Sequence, residues 1–140
     1  MTIALARSDA DIARCFAVMV QLRPHLAEPD FVARVRRMQA GGFHLAGLES
    51  DGAIRAVAGY RYLDKLFSGR TLYVDDLVTD ATQRSRGHGR ALLDWLADQA
   101  RAHDCAVLEL DSGVQRLEAH RFYFRERMHI ASYHFARKLA

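Results

Sequence analysis

The sequence predicts one α/β domain: a mixed sheet with helices on both faces. Three observations carry that expectation. The stretch Leu72 to Ala97, LYVDDLVTDATQRSRGHGRALLDWLA, reads as a strand, a tight basic turn with two glycines, and a helix. Ahead of it lie apolar runs paired across turn residues, and behind it strand and helix patterns alternate. The chain has 140 residues with no internal repeat, low-complexity tract or dividing linker, which suits a single core.

Composition narrows the class. Half of the residues are hydrophobic (50%) and a quarter charged (26%), as in ordinary globular proteins. No apolar run approaches the roughly 20 residues that span a bilayer, so no membrane partner is expected. The opening MTIALARSDADIARC lacks a basic start followed by a long apolar stretch, so no secretory signal is expected. Cys15 and Cys105 lie far apart in apolar settings without metal-ligand spacing. Buried free thiols in a cytoplasmic protein are the expectation. A net charge of +3 permits an anionic ligand and does not demand nucleic acid.

In chain order, Ile3 to Ala6 is a short first strand. Ser8 and Asp9 offer caps to a helix whose face is Ile12, Phe16 and Met19. Pro24 and Pro29 break that pattern, and a second helix is expected from Asp30 to Gln39, stopped by Gly41-Gly42. Phe43 to Glu49 and Ile54 to Leu63 form a hairpin turned at Ser50-Asp51-Gly52. The central strand covers Leu72 to Thr79, and its helix runs from near Gly87 to near His103 with Ala91, Leu92, Trp95 and Leu96 inward. A buried strand at Cys105 to Leu110 follows, then a helix at Gln115 to Arg125. Ile130 to Leu139 alternates weakly and is read as a closing strand.

The turn between central strand and helix carries the chemistry. Its pattern is Arg84-x-x-Gly87-x-Gly89. A helix start leaves backbone N–H groups unpaired and carries partial positive charge. Glycines let a phosphate approach those groups, and Arg84, Arg86 and Arg90 add formal charge. His88, between the glycines, is expected to face solvent or ligand. Neither a phosphate-loop Lys-Ser/Thr pair nor a full dinucleotide fingerprint is present.

Leu77-Val78-Thr79-Asp80, then Arg84-x-x-Gly87-x-Gly89-Arg90-Ala91-Leu92-Leu93, then Ala119-x-x-Phe122-Tyr123, strongly resembles the GNAT superfamily of acyl-CoA-dependent N-acetyltransferases. Within it, Val114-x-Arg116-x-x-Ala119-His120-Arg121-Phe122-Tyr123 followed by His134-Phe135 resembles the aminoalkylphosphonate N-acetyltransferases. The resemblance implies one N-acetyltransferase domain over 1–140. Its sheet would be mostly antiparallel, of about six to seven strands, with the fourth and fifth splayed apart. Acetyl-CoA would lay its pantetheine arm along the backbone of Leu77, Val78 and Thr79. Its pyrophosphate would sit on the amides of Arg84, Ser85, Arg86, Gly87, His88, Gly89 and Arg90. The implied acceptor is a small-molecule amine, the acid-tailed kind included. A peptide acceptor, and a non-catalytic acyl-CoA sensor, remain as alternatives, and a homodimer is left open. Three positions depart from the family: Tyr73 replaces a common glutamate, Ser112-Gly113 stands where many members have asparagine, and Arg127-Met128 replaces Gly-Phe.

Acyl transfer to an amine needs the amine neutral, although free alkylamines titrate near ~10.4. It also profits from a proton donor to the departing thiolate. Tyr123 matches the family's general acid; the plainer reading is a core aromatic beside Phe122 and Phe124. For the base, period-two alternation sets Tyr73, Asp75 and Leu77 on one strand face and Val74, Asp76 and Val78 on the other. Asp75 then shares the cleft with Leu77, as a base or as a holder of the ammonium. Asp76 reads as a cap or a salt-bridge partner. His120, His129 and His134 lack metal-ligand spacing, so no metal is expected. The arginine-rich last third reads as a solvated face or an anchor for an anionic acceptor. Arg116 and Arg121 are the named choices, and no nucleic-acid module is evident.

Overall fold

A computed structural model of the chain describes residues 1–140. The elements are β1 (Thr2–Leu5), α1 (Asp9–Arg14), α2 (Phe16–Leu22), α3 (Glu28–Ala40), β2 (His44–Ser50), β3 (Ala53–Lys65), β4 (Gly69–Thr79), a short 3-10 helix (Ala81–Gln83), α4 (His88–Ala102), β5 (Val107–Leu110) and α5 (Leu117–Arg125). The five strands form one sheet in the order β1-β2-β3-β4-β5. The chain divides into two compact units, Met1–Glu109 and Leu110–Ala140.

In the first unit β1 to β4 are joined antiparallel. Ser50 pairs with Ala53, so Asp51-Gly52 is a two-residue turn, and both residues take positive φ (53° and 75°). That is the geometry whose twist suits a hairpin, and Asp-Gly supplies it cheaply. Ala56 to Tyr60 on β3 are all buried, and a continuous buried run requires cover on both faces. One cover is the α1–α3 layer, whose Ile12, Val18, Met19, Phe31 and Val35 pack with Phe43, Leu45 and Val57. The other is α4, which buries Leu92, Leu93, Leu96 and Ala100 and sets Trp95 edge-on to Tyr60, with 6.1 Å between the ring centroids.

Local chemistry explains the boundaries. Ser8 accepts from the Asp11 amide at 3.1 Å, and the Asp11 carboxylate accepts from the Ser8 amide, a capping box that starts α1. The expected first helix is interrupted at Cys15 and becomes α1 and α2. Pro29 does not break a helix: it sits in the first turn of α3, where its missing N–H costs nothing. Cys15 is buried and its thiol is pushed up to about 12 by that burial. Cys105 is only half-buried, contrary to expectation.

β5 joins β4 where both begin, with the Ala106 N–H donating to the Arg70 carbonyl at 2.9 Å. The sheet has five strands, fewer than the six to seven expected. The closing strand read over Ile130 to Leu139 is not formed, and every residue from His129 onward is exposed. A weakly alternating segment becomes a strand only when a partner satisfies its backbone. The second unit is built on α5, where the His120 Nε2–H donates to the Gly113 carbonyl at 2.8 Å.

Candidate active site

The basic turn is held by the end of the strand before it. The Asp80 amide donates to the Arg55 carbonyl on β3 at 2.8 Å. The Asp80 carboxylate accepts from the Thr82 amide, and Gln21 of α2 bonds both the Asp80 side chain and the Ala81 amide. Beyond this anchor, Ser85 and Gly87 take positive φ (63° and 80°). A Cβ at Gly87 would meet nothing within 4 Å, so the glycine is there for its backbone conformation. The first bond of α4 runs from the Ala91 amide to the Gly87 carbonyl, so the earlier amides of the helix have no intrahelical acceptor.

His88 is the informative residue. It is only 7% exposed, which removes the solvent-facing reading, and its Nδ1 is buried without a hydrogen-bond partner. Such an orphan costs about 1–3 kcal/mol unless a ligand group meets it. Arg84 and Arg86 stand exposed beside it. Together with the helix start, the turn fits a pyrophosphate. Leu77, Val78 and Thr79 hand the chain into this turn and pair with Ala58, Val57 and Ala56 along one edge of β4.

The carboxylates of β4 are arranged differently from the simple alternation. The register steps from Tyr60↔Val74 to Gly59↔Asp76, so Asp75 is an extra residue in a bulge. The bulge brings the two carboxylates to one cluster instead of opposite faces. Arg23, capping α2, donates to Asp76 Oδ1 at 2.8 Å and to the Asp75 carbonyl at 2.9 Å. Arg61 grips both Asp75 oxygens, the shortest contact being 2.7 Å, and lies over the Phe43 ring. Gly59 is required beneath them, because a Cβ there would come within 2.5 Å of the Phe43 ring and 2.6 Å of Asp76 Oδ2. Burial raises the Asp76 carboxyl above the ordinary carboxylate range, with Arg23 opposing the shift. The sequence pattern singles out none of Arg23, Arg61 and Gly59, and it marks Asp76 only as a cap or ion-pair partner, which it is. A glycine facing two adjacent acids across a hairpin is the available signal.

In the second unit Tyr123 lies half-buried on α5, its ring edge-on to Phe122 at 5.5 Å. Burial raises its hydroxyl above the usual tyrosine value, while the positive charge of Arg116 pulls the other way. Arg121 pairs with Glu118 on an exposed surface. No group of three or more His, Cys, Asp or Glu is gathered to hold a metal, and no helix is long and apolar enough to cross a membrane.

Residues 11–129 match the model of the acetyltransferase (GNAT) family. The chain belongs to the GNAT family. That match runs through both units. The chain is 36% identical over 117 residues to an uncharacterised N-acetyltransferase, YhdJ, of Bacillus subtilis, covering 83% of this chain and 82% of the relative. It is 36% identical over 105 residues to glucosamine 6-phosphate N-acetyltransferase 1 of rice, Oryza sativa subsp. japonica (69% of this chain, 64% of the relative). Over 66 residues it is 32% identical to aminoalkylphosphonate N-acetyltransferase of Salmonella typhimurium (47% and 43%). Among solved structures, a ribosomal-protein-alanine N-acetyltransferase from Brucella melitensis biovar Abortus superposes with a TM-score of 0.84 at 18% identity, covering 99% of this chain and 100% of that one. This GNAT chain is therefore an acyltransferase with the family's mixed α/β fold.

An acid placed in the turn tests its role. Gly89→Asp puts a negative charge in the first turn of α4, where the helix itself tolerates or welcomes it. Folding should hold while acetyl-CoA affinity, read by calorimetry, falls at least tenfold, about 1.4 kcal/mol. Unchanged affinity would place the pyrophosphate elsewhere.

Proposed function

We propose that this chain transfers an acetyl group from acetyl-CoA to the primary amine of a small, acid-tailed molecule, by direct attack while both substrates are bound. The observation that carries the reading is the basic helix start with the orphaned His88 Nδ1. Arg84 to Arg90 would hold the pyrophosphate, and Leu77 to Thr79, paired to β3 on one edge, would offer the other to the pantetheine arm. Bound acetyl-CoA supplies the acyl group activated as a thioester.

The remaining work is proton management by this chain. The amine must lose a proton as the C–N bond forms, and the departing sulfur must gain one as the C–S bond breaks. Tyr123 is assigned as the donor, since a hydroxyl raised by burial stays protonated at neutral pH. Proton acceptance is assigned to Asp76 rather than Asp75. Asp75 already has both oxygens on Arg61, whereas Asp76 is desolvated and its pKa is moved towards the range useful to a base. Asp75 then acts as a positioning residue that fixes Arg61 and, through its carbonyl, Arg23.

The acid-tailed acceptor draws support from two of the relatives, named for glucosamine 6-phosphate and for aminoalkylphosphonates, both amines with a phosphorus acid group. Arg116 acts electrostatically on Tyr123 and Arg121 is paired to Glu118, so Arg116 is the better anchor, since Arg121 serves a surface ion pair. A specificity comparison tests this. Aminomethyl- and aminoethylphosphonate, β-alanine, a plain alkylamine and an N-terminal peptide are compared by kcat/KM. The acid-tailed amines should lead the alkylamine tenfold or more, the scale of one charge-assisted contact of about 1.5–3 kcal/mol. A peptide or plain amine leading by that margin would remove the acceptor assignment and leave acetyl transfer intact.

A further inference from the structure

Arg23 ends α2 because Pro24 follows it. A proline disfavours helical backbone at the residue before it, and Arg23 takes φ −120° and ψ 71°. That exit carries its side chain to the β4 bulge, where Nε–H donates to Asp76 Oδ1 at 2.8 Å and Nη2 donates to the Asp75 carbonyl at 2.9 Å. Both bonds use one edge of the guanidinium. The planar fork carries five N–H donors, so the outer edge, formed by Nη1 and the second Nη2 hydrogen, has no protein partner. The Arg23 side chain is 41% exposed and that of Asp76 only 12%. Arg61, the other cation of the cluster, bonds Asp75 and lies over the Phe43 ring.

We infer that Arg23 determines acceptor specificity: its outer edge binds the acid group of an amine whose nitrogen faces Asp76, selecting acceptors with a carboxylate, phosphonate or phosphate within a few bonds of that nitrogen. This rests on the acetyl-transfer reading with Asp76 as proton acceptor. An acid-tailed amine reaches the site as a zwitterion at neutral pH. Its ammonium complements Asp76 and its acid complements Arg23, so the substrate lies against an ion pair of matching and opposite order. The outer edge of a guanidinium meets two acid oxygens at once.

Charge balance favours the same assignment. Arg23, Arg61, Asp75 and Asp76 form two ion pairs and together are neutral. Once Asp76 takes the amine's proton, the cluster holds one net positive charge beside the acid group. The contact therefore strengthens as the proton moves, and an interaction of that kind raises kcat as well as lowering KM. Arg23 acts from the first unit and does not depend on Arg116, since a phosphonate has several oxygens and accepts from more than one donor group.

Ethylamine and aminoethylphosphonate, which share a carbon skeleton and differ in the acid, are compared by kcat/KM on the full chain. Arg23→Gln removes the outer edge. A loss shared by both amines reports the disturbed Asp76, and the ratio between them isolates the acid contact. That ratio should fall about tenfold or more in Arg23→Gln. Arg61→Gln removes an equal charge from the same cluster and should keep the ratio within about threefold, the scale of a screened charge effect. If Arg23→Gln fails to fold, Arg23→Lys takes its place: one ammonium serves Asp76 or the acid and not both, so the ratio should fall there too. Calorimetry with ethylphosphonate, on the chain saturated with CoA so that the basic turn at 84–90 is filled, reads the contact without turnover. Ethylphosphonate should bind the wild type, and the Arg23 variant about tenfold or more weakly. An unchanged ratio in the Arg23 variant, an equal fall in Arg61→Gln, or ethylphosphonate binding that is absent or indifferent to Arg23 overturns the inference. A wild type that acetylates no amine, yet binds ethylphosphonate through Arg23, overturns the acetyl-transfer reading and leaves the anion contact standing.

Discussion

Tyr123→Phe is expected to lower kcat on the order of 10²-fold while leaving acetyl-CoA affinity within a factor of about two. The substitution keeps the ring that packs against Phe122 and removes only the hydroxyl. Stability should therefore change little, and loss of turnover with retained binding would report loss of the proton donor. The pH profile gives a second readout. The donor works while protonated, so its contribution is lost as pH rises through the tyrosine's pKa, which burial holds above the usual ~10. The wild type should keep full donor function across neutral pH, and any alkaline decline due to Tyr123 should be missing from the variant. Turnover equal to wild type would mean that the departing thiolate leaves unaided or takes its proton from water.

Asp76→Asn should have a comparable or larger effect, a loss of about 10²–10³-fold in kcat/KM. The amide keeps the shape beside Gly59 and Phe43 but can no longer accept a proton. The wild-type acid limb should lie above the ordinary carboxylate value of ~3.9, because desolvation raises Asp76 in the folded chain. Activity present above that limb is lost as pH falls through it, and the limb should vanish in the variant. Asp75→Asn is the companion measurement. It frees Arg61 and should raise KM more than it lowers kcat. The reverse ranking, with Asp75→Asn the more damaging to kcat and Asp76→Asn mild, would return the base to Asp75.

The two carboxylates also mark the limit of what the sequence could show. Glycines and arginines at 84–90 announce the ligand turn directly, because positive φ and phosphate charge select those residue types. A bulge selects no residue type. Asp75 is an ordinary strand residue to any period-two reading, and only the step from Val74 to Asp76 in the pairing register shows that both acids come to the same cluster. The partners Arg23 and Arg61 are separated from them by 53 and 14 positions and arrive through tertiary folding. His88 is visible as a residue between glycines, but its burial comes from packing of the α4 start. The interrupted first helix and the helical Pro29 turn on local backbone geometry, since neither Cys15 nor Ala27 caps its helix with a side chain. The segment at 130–139 fails as a strand for a different reason: its pattern is real, but strand structure is a property of pairs.

Transfer of an acetyl group from acetyl-CoA to an amine by this chain is decided by following free thiol and N-acetylated product together. Acetyl-CoA is mixed with catalytic enzyme, with and without aminoethylphosphonate. Thiol should appear only when the amine is present, in equal amount to acetylated amine, and many times over the enzyme concentration. Tight binding of acetyl-CoA with no thiol released above background, for any primary amine in the panel, would contradict the account and identify an acyl-CoA sensor.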